Sequence, residues 1–271
     1  MVAVLIIGEL LNSTRRGVRE ALRRRDEGVI RRLARAQVEA GAAVLDVNAA
    51  ASVDRELEDL EWMIRVVQAE LGEGVRLAID SPNPEAIELG LSLCQGGPGP
   101  RPMINSINND PKLQERLIPL AKEFDAEVIA LAMGPGRLPK TAEERLREAE
   151  RLLEALEAAG IEPERVYIDP LVMAIGTDQE QGRAVLEAVR GIKERWGALG
   201  VKTCVGLSNV SFGLPRRSLI NRAFLAMLLA AGLDAALLDP TDRELMDTLR
   251  ASEALVGLDP YCLRYIKHMR A

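Results

Sequence analysis

Histidine is almost missing from this chain: its one copy, His268, stands three residues from the end. A multi-histidine metal site, a Ser-His-Asp triad and a Cys-His pair are therefore not expected, and no metal is expected to be bound by this chain. Aromatic residues make up only 3%, too few for the ring platforms that hold single-stranded nucleic acid. A net charge of -6 argues against a dominant phosphate-binding surface. The cysteines Cys94, Cys204 and Cys262 lie far apart with no CxxC spacing. They read as reduced thiols in a cytoplasmic protein. No apolar run is long enough for a membrane span, and no signal peptide is visible before the first apolar run. The doubly wound dinucleotide fold would place a GxGxxG turn after the first strand, but Gly8-Glu9-Leu10-Leu11-Asn12 stands there instead, and no GxxxxGK[ST] loop occurs.

What the chain does have is repetition. Eight short apolar runs are each followed by a helix-type stretch, and seven of them end in Asp, Asn or Glu. They are Leu5–Glu9, Val44–Asn48, Leu77–Asp80, Met103–Asn105, Ile129–Met133, Tyr167–Pro170, Val205–Asn209 and Ala236–Pro240. Only the fifth lacks an acid or amide. The expected strands are Val4–Glu9, Ala43–Asn48, Val75–Asp80, Pro102–Ser106, Glu127–Met133, Val166–Leu171, Lys202–Asn209 and Asp234–Asp239. Between them the spacing predicts helices over Val18–Ala40, broken near Asp26-Glu27-Gly28, and around Leu57, Leu60, Ile64 and Val67, capped by Ser52. Pro111 opens another helix, Thr141 caps one to Ala159, one runs from about Gln179 to Trp196, one from Leu219 to Ala231, and Asp242 caps one to Val256. Gly96-Gly97-Pro98-Gly99-Pro100 reads as a loop. Gly41, Gly72, Gly160, Gly200 and Gly232 each stand shortly before a strand, the C-cap signature of a repeating αβ unit. The expected fold is α/β: a single (β/α)8 TIM barrel domain over residues 1–271. A first helix rich in arginine (Arg15, Arg16, Arg19, Arg23, Arg24, Arg25) reads as a solvated outer face laced with Glu20, Asp26 and Glu27. A docking patch for an acidic partner is the other reading.

In a closed barrel the strand ends face one mouth, where such folds place their chemistry. Asp46, Asn48, Asp80, Asn105, Asp169 and Asn209 are the strongest members of that set. Each alone also suits a helix cap or turn. Together they form a ring of carboxylates and amides. A carboxylate accepts two parallel N–H bonds from an amidine-like edge, and a carboxamide donates and accepts at once. Such a ring suits the 2-amino-4-oxopyrimidine edge of a pterin better than a phosphate sugar.

The segments Leu45-Asp46-Val47-Asn48, Ile79-Asp80-Ser81, Met103-Ile104-Asn105-Ser106, Tyr167-Ile168-Asp169-Pro170-Leu171 and Gly206-Leu207-Ser208-Asn209-Val210-Ser211 resemble those of the pterin-binding methyltransferases. Within that family they look most like the methyltetrahydrofolate:corrinoid/iron–sulfur protein methyltransferases. Leu219–Met227 and Gly232–Ala236 extend the likeness to essentially the whole chain. The resemblance implies a homodimeric cytoplasmic barrel that binds methyltetrahydrofolate in its mouth. Asp80, Asn105 and Asp169 match family positions that hold the pterin, and Asn209 matches the residue near N5. Asp46 and Asn48 match residues lining the same pocket, with Glu9 and Asn12 at its floor. Arg216 and Arg217 are candidates for the folate tail or a partner.

The implied reaction is an SN2 displacement between N5 and the cobalt of a cobamide bound to a corrinoid (iron–sulfur) protein. It could supply methyl groups to acetyl-CoA synthesis, or run the other way during demethylation. The Asp-x-His-x-x-Gly cobamide ligand motif is absent, so the cobamide belongs to another chain. Dihydropteroate synthase shares the barrel but uses Ser-Arg-Lys after its seventh strand and Arg-x-His after its eighth. This chain has Ser208-Asn209-Val210 and Leu238-Asp239-Pro240 there. A non-enzymatic folate-binding protein is the alternative of a different class.

Overall fold

The computed structural model describes residues 3–94 and 100–270. Eight parallel strands close into one barrel, each bonded to its sequence neighbours and β1 to β8. They are β1 (Leu5–Asn12), β2 (Val44–Asn48), β3 (Leu77–Asp80), β4 (Met103–Ile107), β5 (Glu127–Leu131), β6 (Val166–Asp169), β7 (Lys202–Gly206) and β8 (Ala235–Leu238). The (β/α)8 barrel expected from eight repeats is the fold observed. Among the described residues ten helices accompany the strands: α1 (Arg16–Arg24), α2 (Glu27–Glu39), α3 (Glu56–Leu71), α4 (Pro84–Leu93), α5 (Pro111–Glu123), α6 (Ala142–Ala158), α7 (Gln181–Trp196), α8 (Arg217–Ala231), α9 (Arg243–Leu255) and α10 (Leu263–Met269). Among the described residues no helix is long and apolar enough to cross a membrane. The loop expected over Gly96–Pro100 falls on residues outside the described set, apart from Pro100.

Two apolar layers hold the barrel. The larger fills the space between the sheet and the helix ring. The smaller takes one residue from each strand: Ile7, Val44, Ala78, Met103, Ile129, Tyr167, Cys204 and Ala235. These point inward and plug the lumen. Side chains two residues apart on a strand share a face. The next inward positions toward the carboxyl ends are therefore Glu9, Asp46, Asp80, Asn105, Leu131, Asp169, Gly206 and Leu237. Simple period-two counting thus carries each strand from a hydrophobic plug to the layer above it.

Several local signals produce the expected elements. The Thr141 hydroxyl accepts from the Glu144 amide while the Glu144 carboxylate accepts from the Thr141 amide, a reciprocal capping box that starts α6. Asp242 accepts from the Leu245 amide and starts α9. The five pre-strand glycines all take positive φ, from +81° to +103°, a backbone state that costs other residues steric strain.

Several boundaries shift by a residue or two, and three of the differences bear on the site. Ser52 makes no cap hydrogen bond; a 3-10 turn at Val53–Arg55 intervenes and α3 begins only at Glu56. β7 stops at Gly206, and a 3-10 turn, Leu207–Ser211, carries Asn209 beyond the sheet. β1 runs to Asn12, past a register shift against β2 between Gly8 and Leu11. That bulge frees the Leu10 amide from the ladder, and the Gln37 side-chain oxygen from α2 accepts its hydrogen bond at 2.9 Å. Gly8 leaves room for this: a Cβ there would lie 2.4 Å from the same Gln37 oxygen.

Candidate active site

The layer above the barrel plug opens into a cavity of about 420 Å³. All eight inward strand-end positions line it: Glu9, Asp46, Asp80, Asn105, Leu131, Asp169, Gly206 and Leu237. Asn12, Thr14, Arg15, Ser106, Leu171, Val172, Ser208 and Asn209 complete the wall from the loops. Five of the eight inward positions are polar. The apolar three fall on β5, β7 and β8, so the polar groups crowd the arc from β1 through β4 together with β6.

Each polar group is held by a second one. The Asn105 carboxamide donates to Asp46 Oδ1 at 3.0 Å. The Asn48 carboxamide donates to Asp80 Oδ2 at 3.1 Å, while its own oxygen accepts from the Ser13 hydroxyl at 2.8 Å. Asn48 thus braces Asp80 with its amide nitrogen and is itself anchored by Ser13 through its oxygen; it is not among the residues that line the cavity. The Leu171 amide donates to Asp169 Oδ1 at 2.8 Å, closing a turn over Pro170. Glu9 accepts from Arg15 at 3.0 Å and from the Ser208 hydroxyl at 3.1 Å. Asn12 accepts from the Thr14 amide and hydroxyl at the rim.

Four carboxyls in one cavity, with Arg15 the only cation on its wall among the described residues, disfavour full ionisation. Burial raises the Asp46 carboxyl well above its ordinary range, and the neighbouring Asp80 adds to the rise. Burial likewise raises Asp80, with Glu56 adding and the Asn48 hydrogen bond opposing. Asp169 is pushed up to about 6 by burial, against the Leu171 amide and the Arg145 guanidinium. Glu9 is raised by burial and by Asp239, while Arg15 and Ser208 pull it down. The site is thus poised to gain from a ligand that brings N–H donors and carries no negative charge to the cavity floor.

Asn209 is exposed and stands over this floor on its 3-10 turn. Gly206 beneath it leaves the space; a Cβ there would meet the Asn209 amide nitrogen at 3.2 Å. Arg217 holds the turn from behind, donating to the Ser208 carbonyl at 2.6 Å and to the Ser211 hydroxyl at 3.1 Å, beside the Phe212 ring. Arg216 and Arg217 are both exposed, and neither lines the cavity. Asp239, although it ends the eighth apolar run, does not line the cavity and accepts from the Thr241 amide and hydroxyl; the inward residue of β8 is Leu237. A larger cavity, about 910 Å³, lies at the opposite end of the barrel among strand starts such as Leu5 and Lys202. Its acid Asp234 is already paired with Lys193 at 2.9 Å.

Residues 8–239 match the family described as pterin binding enzyme. The chain belongs to that family. Among its curated relatives, the methylcorrinoid:tetrahydrofolate methyltransferase of Eubacterium limosum is 36% identical, over 98% of this chain and 96% of its own length. The methionine synthase of Mycobacterium tuberculosis is 30% identical over 95% of this chain but only 22% of its own length. This pterin-binding enzyme therefore corresponds to one segment of that larger protein. A solved structure, that of Mycobacterium tuberculosis Rv1207, aligns with a TM-score of 0.65 at 20% identity over 95% of both chains, a likeness of fold alone.

Four residues that shape the site of this pterin-binding enzyme are not marked as such by their sequence surroundings. Arg15 stands at the head of a basic helix, and its place six residues after Glu9 is the signal for their pairing. Ser208 belongs to a family segment, and nothing local marks it as the partner of Glu9. Gln37 and Arg145 are buried polar residues on helices, and nothing local in the sequence marks them.

Proposed function

We propose that the chain is an enzyme that moves the N5 methyl group between methyltetrahydrofolate and the cobalt of a cobamide carried by a separate protein. The observation that carries this reading is the convergence of Asp46, Asp80, Asn105 and Asp169 on one cavity floor, with Asn209 on the turn above. Asp80, Asn105 and Asp169 take the pterin edge by its N–H donors and ring acceptors. Asp46 fixes Asn105, Asn48 fixes Asp80, and Glu9 with Asn12 closes the floor. The name of the Eubacterium limosum relative supports the same reaction class.

In transfer from folate, Co(I) attacks the methyl carbon, the C–N5 bond breaks, and its electron pair stays on N5. Cobalt is oxidised by two electrons to the methylated Co(III) state, and N5 takes up one proton. A tertiary amine leaves poorly, so a hydrogen bond to N5 that strengthens in the transition state accelerates the step. Asn209 supplies that bond. It has no acidic proton to give, so the proton arrives from water. By microscopic reversibility the same groups serve transfer from methylcorrinoid to tetrahydrofolate, and the relative's name favours that direction.

Arg217 is committed to Ser208 and Ser211, and Arg216 points out to solvent. Arg15 on the cavity wall is paired with Glu9, so no unpaired cation among the described lining residues supports pyrophosphate departure, which weighs against the dihydropteroate synthase reading. Arg216 remains available for the folate tail or the carrier. We further place the protein in the cytoplasm as a homodimer. The support for a dimer is an apolar cleft between α7 and α8, lined by Leu186, Leu219, Ile220, Ala223, Phe224 and Met227.

The test is titration with methyltetrahydrofolate followed by methylation of Co(I) cobalamin. Wild type binds and turns over, and Asp80→Ala and Asp169→Ala lose folate affinity. Full affinity in both variants would remove the pocket assignment. Binding without any methyl transfer would leave a folate-binding protein instead of an enzyme.

A further inference from the structure

Arg145 is the bulkiest fully buried side chain among the described residues, at 0% exposure. It sits in the first turn of α6, directly behind the turn that carries Asp169. Its five N–H donors are all used, and none goes to a carboxylate. Nε donates to the Pro170 carbonyl at 2.6 Å. Nη1 donates to the carbonyls of Lys140 at 2.8 Å and Thr141 at 3.3 Å. Nη2 donates to the Leu171 carbonyl at 3.1 Å and to the Gln181 side-chain oxygen at 2.7 Å. One guanidinium thus ties the β5–α6 loop, the β6–α7 turn and the start of α7 together.

The turn it grips is unusual. Leu171 has φ +62°, a left-handed backbone state that is a true outlier for a bulky residue. Such states persist where surrounding contacts over-determine them, and they concentrate at functional sites. Here the turn is held from both faces. From the cavity side, Asp169 accepts the Leu171 amide. From the helix side, Arg145 takes the carbonyls of Pro170 and Leu171. With Oδ1 engaged by the Leu171 amide and the Gly206 amide also acting on the carboxylate, the remaining acceptor capacity of Asp169 is what the cavity offers a ligand.

We infer that Arg145 is a positioning residue for folate recognition: it locks the Asp169-Pro170-Leu171 turn in its left-handed form and so aims Asp169 into the cavity, with a buried positive charge that donates to no carboxylate standing behind that turn. This rests on the folate reading given above. A lysine could keep the charge but has three donors on a single point, whereas the planar fork reaches three loop segments at once. The carboxyl it serves is already pushed up by burial, and Arg145 is the one cation that pulls it back. The other titratable groups around Asp169 are the buried Cys204 thiol on β7, held neutral by burial, and Glu9, Asp46 and Asp80 around the cavity. Glu144 and Asp178 also act on Arg145 itself.

The test is the dissociation constant of methyltetrahydrofolate across pH 5 to 9, by fluorescence quenching, on the full chain. The variants are Arg145→Met, Arg145→Lys and Gln181→Glu, alone and in an Asp169→Asn background, with folding checked by circular dichroism. Gln181→Glu is close to isosteric and sets a negative charge against the guanidinium without removing it. In Arg145→Met we expect affinity at neutral pH to fall about tenfold or more, and the pH midpoint for binding to move up by about half a unit or more. Gln181→Glu moves the midpoint the same way by less, and Arg145→Lys lies between wild type and Arg145→Met. In the Asp169→Asn background the midpoint no longer responds to Arg145. An unchanged midpoint in folded Arg145→Met overturns the inference, as does an equal shift in the Asp169→Asn background, which would mark Arg145 as merely structural. If Arg145→Met does not fold, an unchanged midpoint in Gln181→Glu overturns it. Wild type that binds no folate at any pH fails the proposed function itself and takes the inference with it.

Discussion

Asn209 and Asp169 occupy the same cavity but make opposite demands on the chain. Asn209 is exposed on a turn and contributes nothing visible to packing. Its replacement by alanine is expected to leave folding intact and folate affinity within about threefold. Turnover should fall about 10- to 100-fold, the range for one lost transition-state hydrogen bond. Single-turnover methylation of Co(I) reads this directly, and unchanged turnover would remove Asn209 from the mechanism. Asp169 is a buried carboxyl raised from 3.8 to about 6. A group raised on folding contributes stability below its unfolded value and loses it as pH rises through its folded value. Asp169 should therefore weaken the ligand-free fold progressively between about pH 4 and 6, by at most about 3 kcal/mol above that window. Asp169→Asn is then expected to raise the melting temperature most at pH 8, about half as much at pH 5, and to lose folate affinity at both. Wild-type affinity should itself decline as pH falls through about 6, because a protonated carboxyl accepts fewer hydrogen bonds. A variant no more stable than wild type at pH 8 would mean that burial is not costing Asp169 its charge. At this scale the sequence exposed the acids and amides but not their pairings. Asn48 and Asp46 look equivalent on β2, yet only the geometry separates the one that lines the cavity from the one that braces Asp80.

Elements with local chemistry were readable, and those shaped by distant contacts were not. Thr141 and Glu144 lie three residues apart, so the capping box that starts α6 is written in four letters. The bulge in β1 is different. Nothing in Gly8-Glu9-Leu10-Leu11 announces it, because its cause is Gln37, 27 residues away. The same holds for β7, which ends early because Arg217 folds the following turn onto Ser208 and Ser211. The bulge is worth testing, since it sets the aim of Glu9 at the cavity floor. Gln37→Leu keeps the volume but leaves the Leu10 amide buried without a partner, a loss of about 1–3 kcal/mol. Urea unfolding should show that loss with an unchanged m-value. Gly8→Ala should be destabilising too, because its Cβ meets the Gln37 side chain. If both variants match wild type in stability, the bulge does not depend on Gln37.

The molecule as a whole was legible because closure follows from counting: eight strand-helix units, each strand parallel to the last, leave one mouth where all carboxyl ends meet. What counting cannot say is which outer helix meets another molecule. α8 differs from the helices around it in this respect. After Arg222 its sequence is Ala-Phe-Leu-Ala-Met-Leu-Leu-Ala-Ala, with no charge through Ala231. One side buries Phe224, Leu225, Leu228 and Leu229 against the barrel. The other leaves Leu219 at 49% and Met227 at 54% exposed beside the apolar cleft toward α7. A helix that is apolar on both sides is normally covered on both. Two copies meeting across a twofold axis would cover each other with the same patch. Met227→Glu puts a charge into the middle of that contact and touches nothing in the cavity. Sedimentation velocity is expected to show a dimer for wild type and a monomer for Met227→Glu, with folate affinity unchanged. A variant that remains dimeric would move the interface to another face, and a monomeric wild type would leave the apolar side of α8 to a different partner.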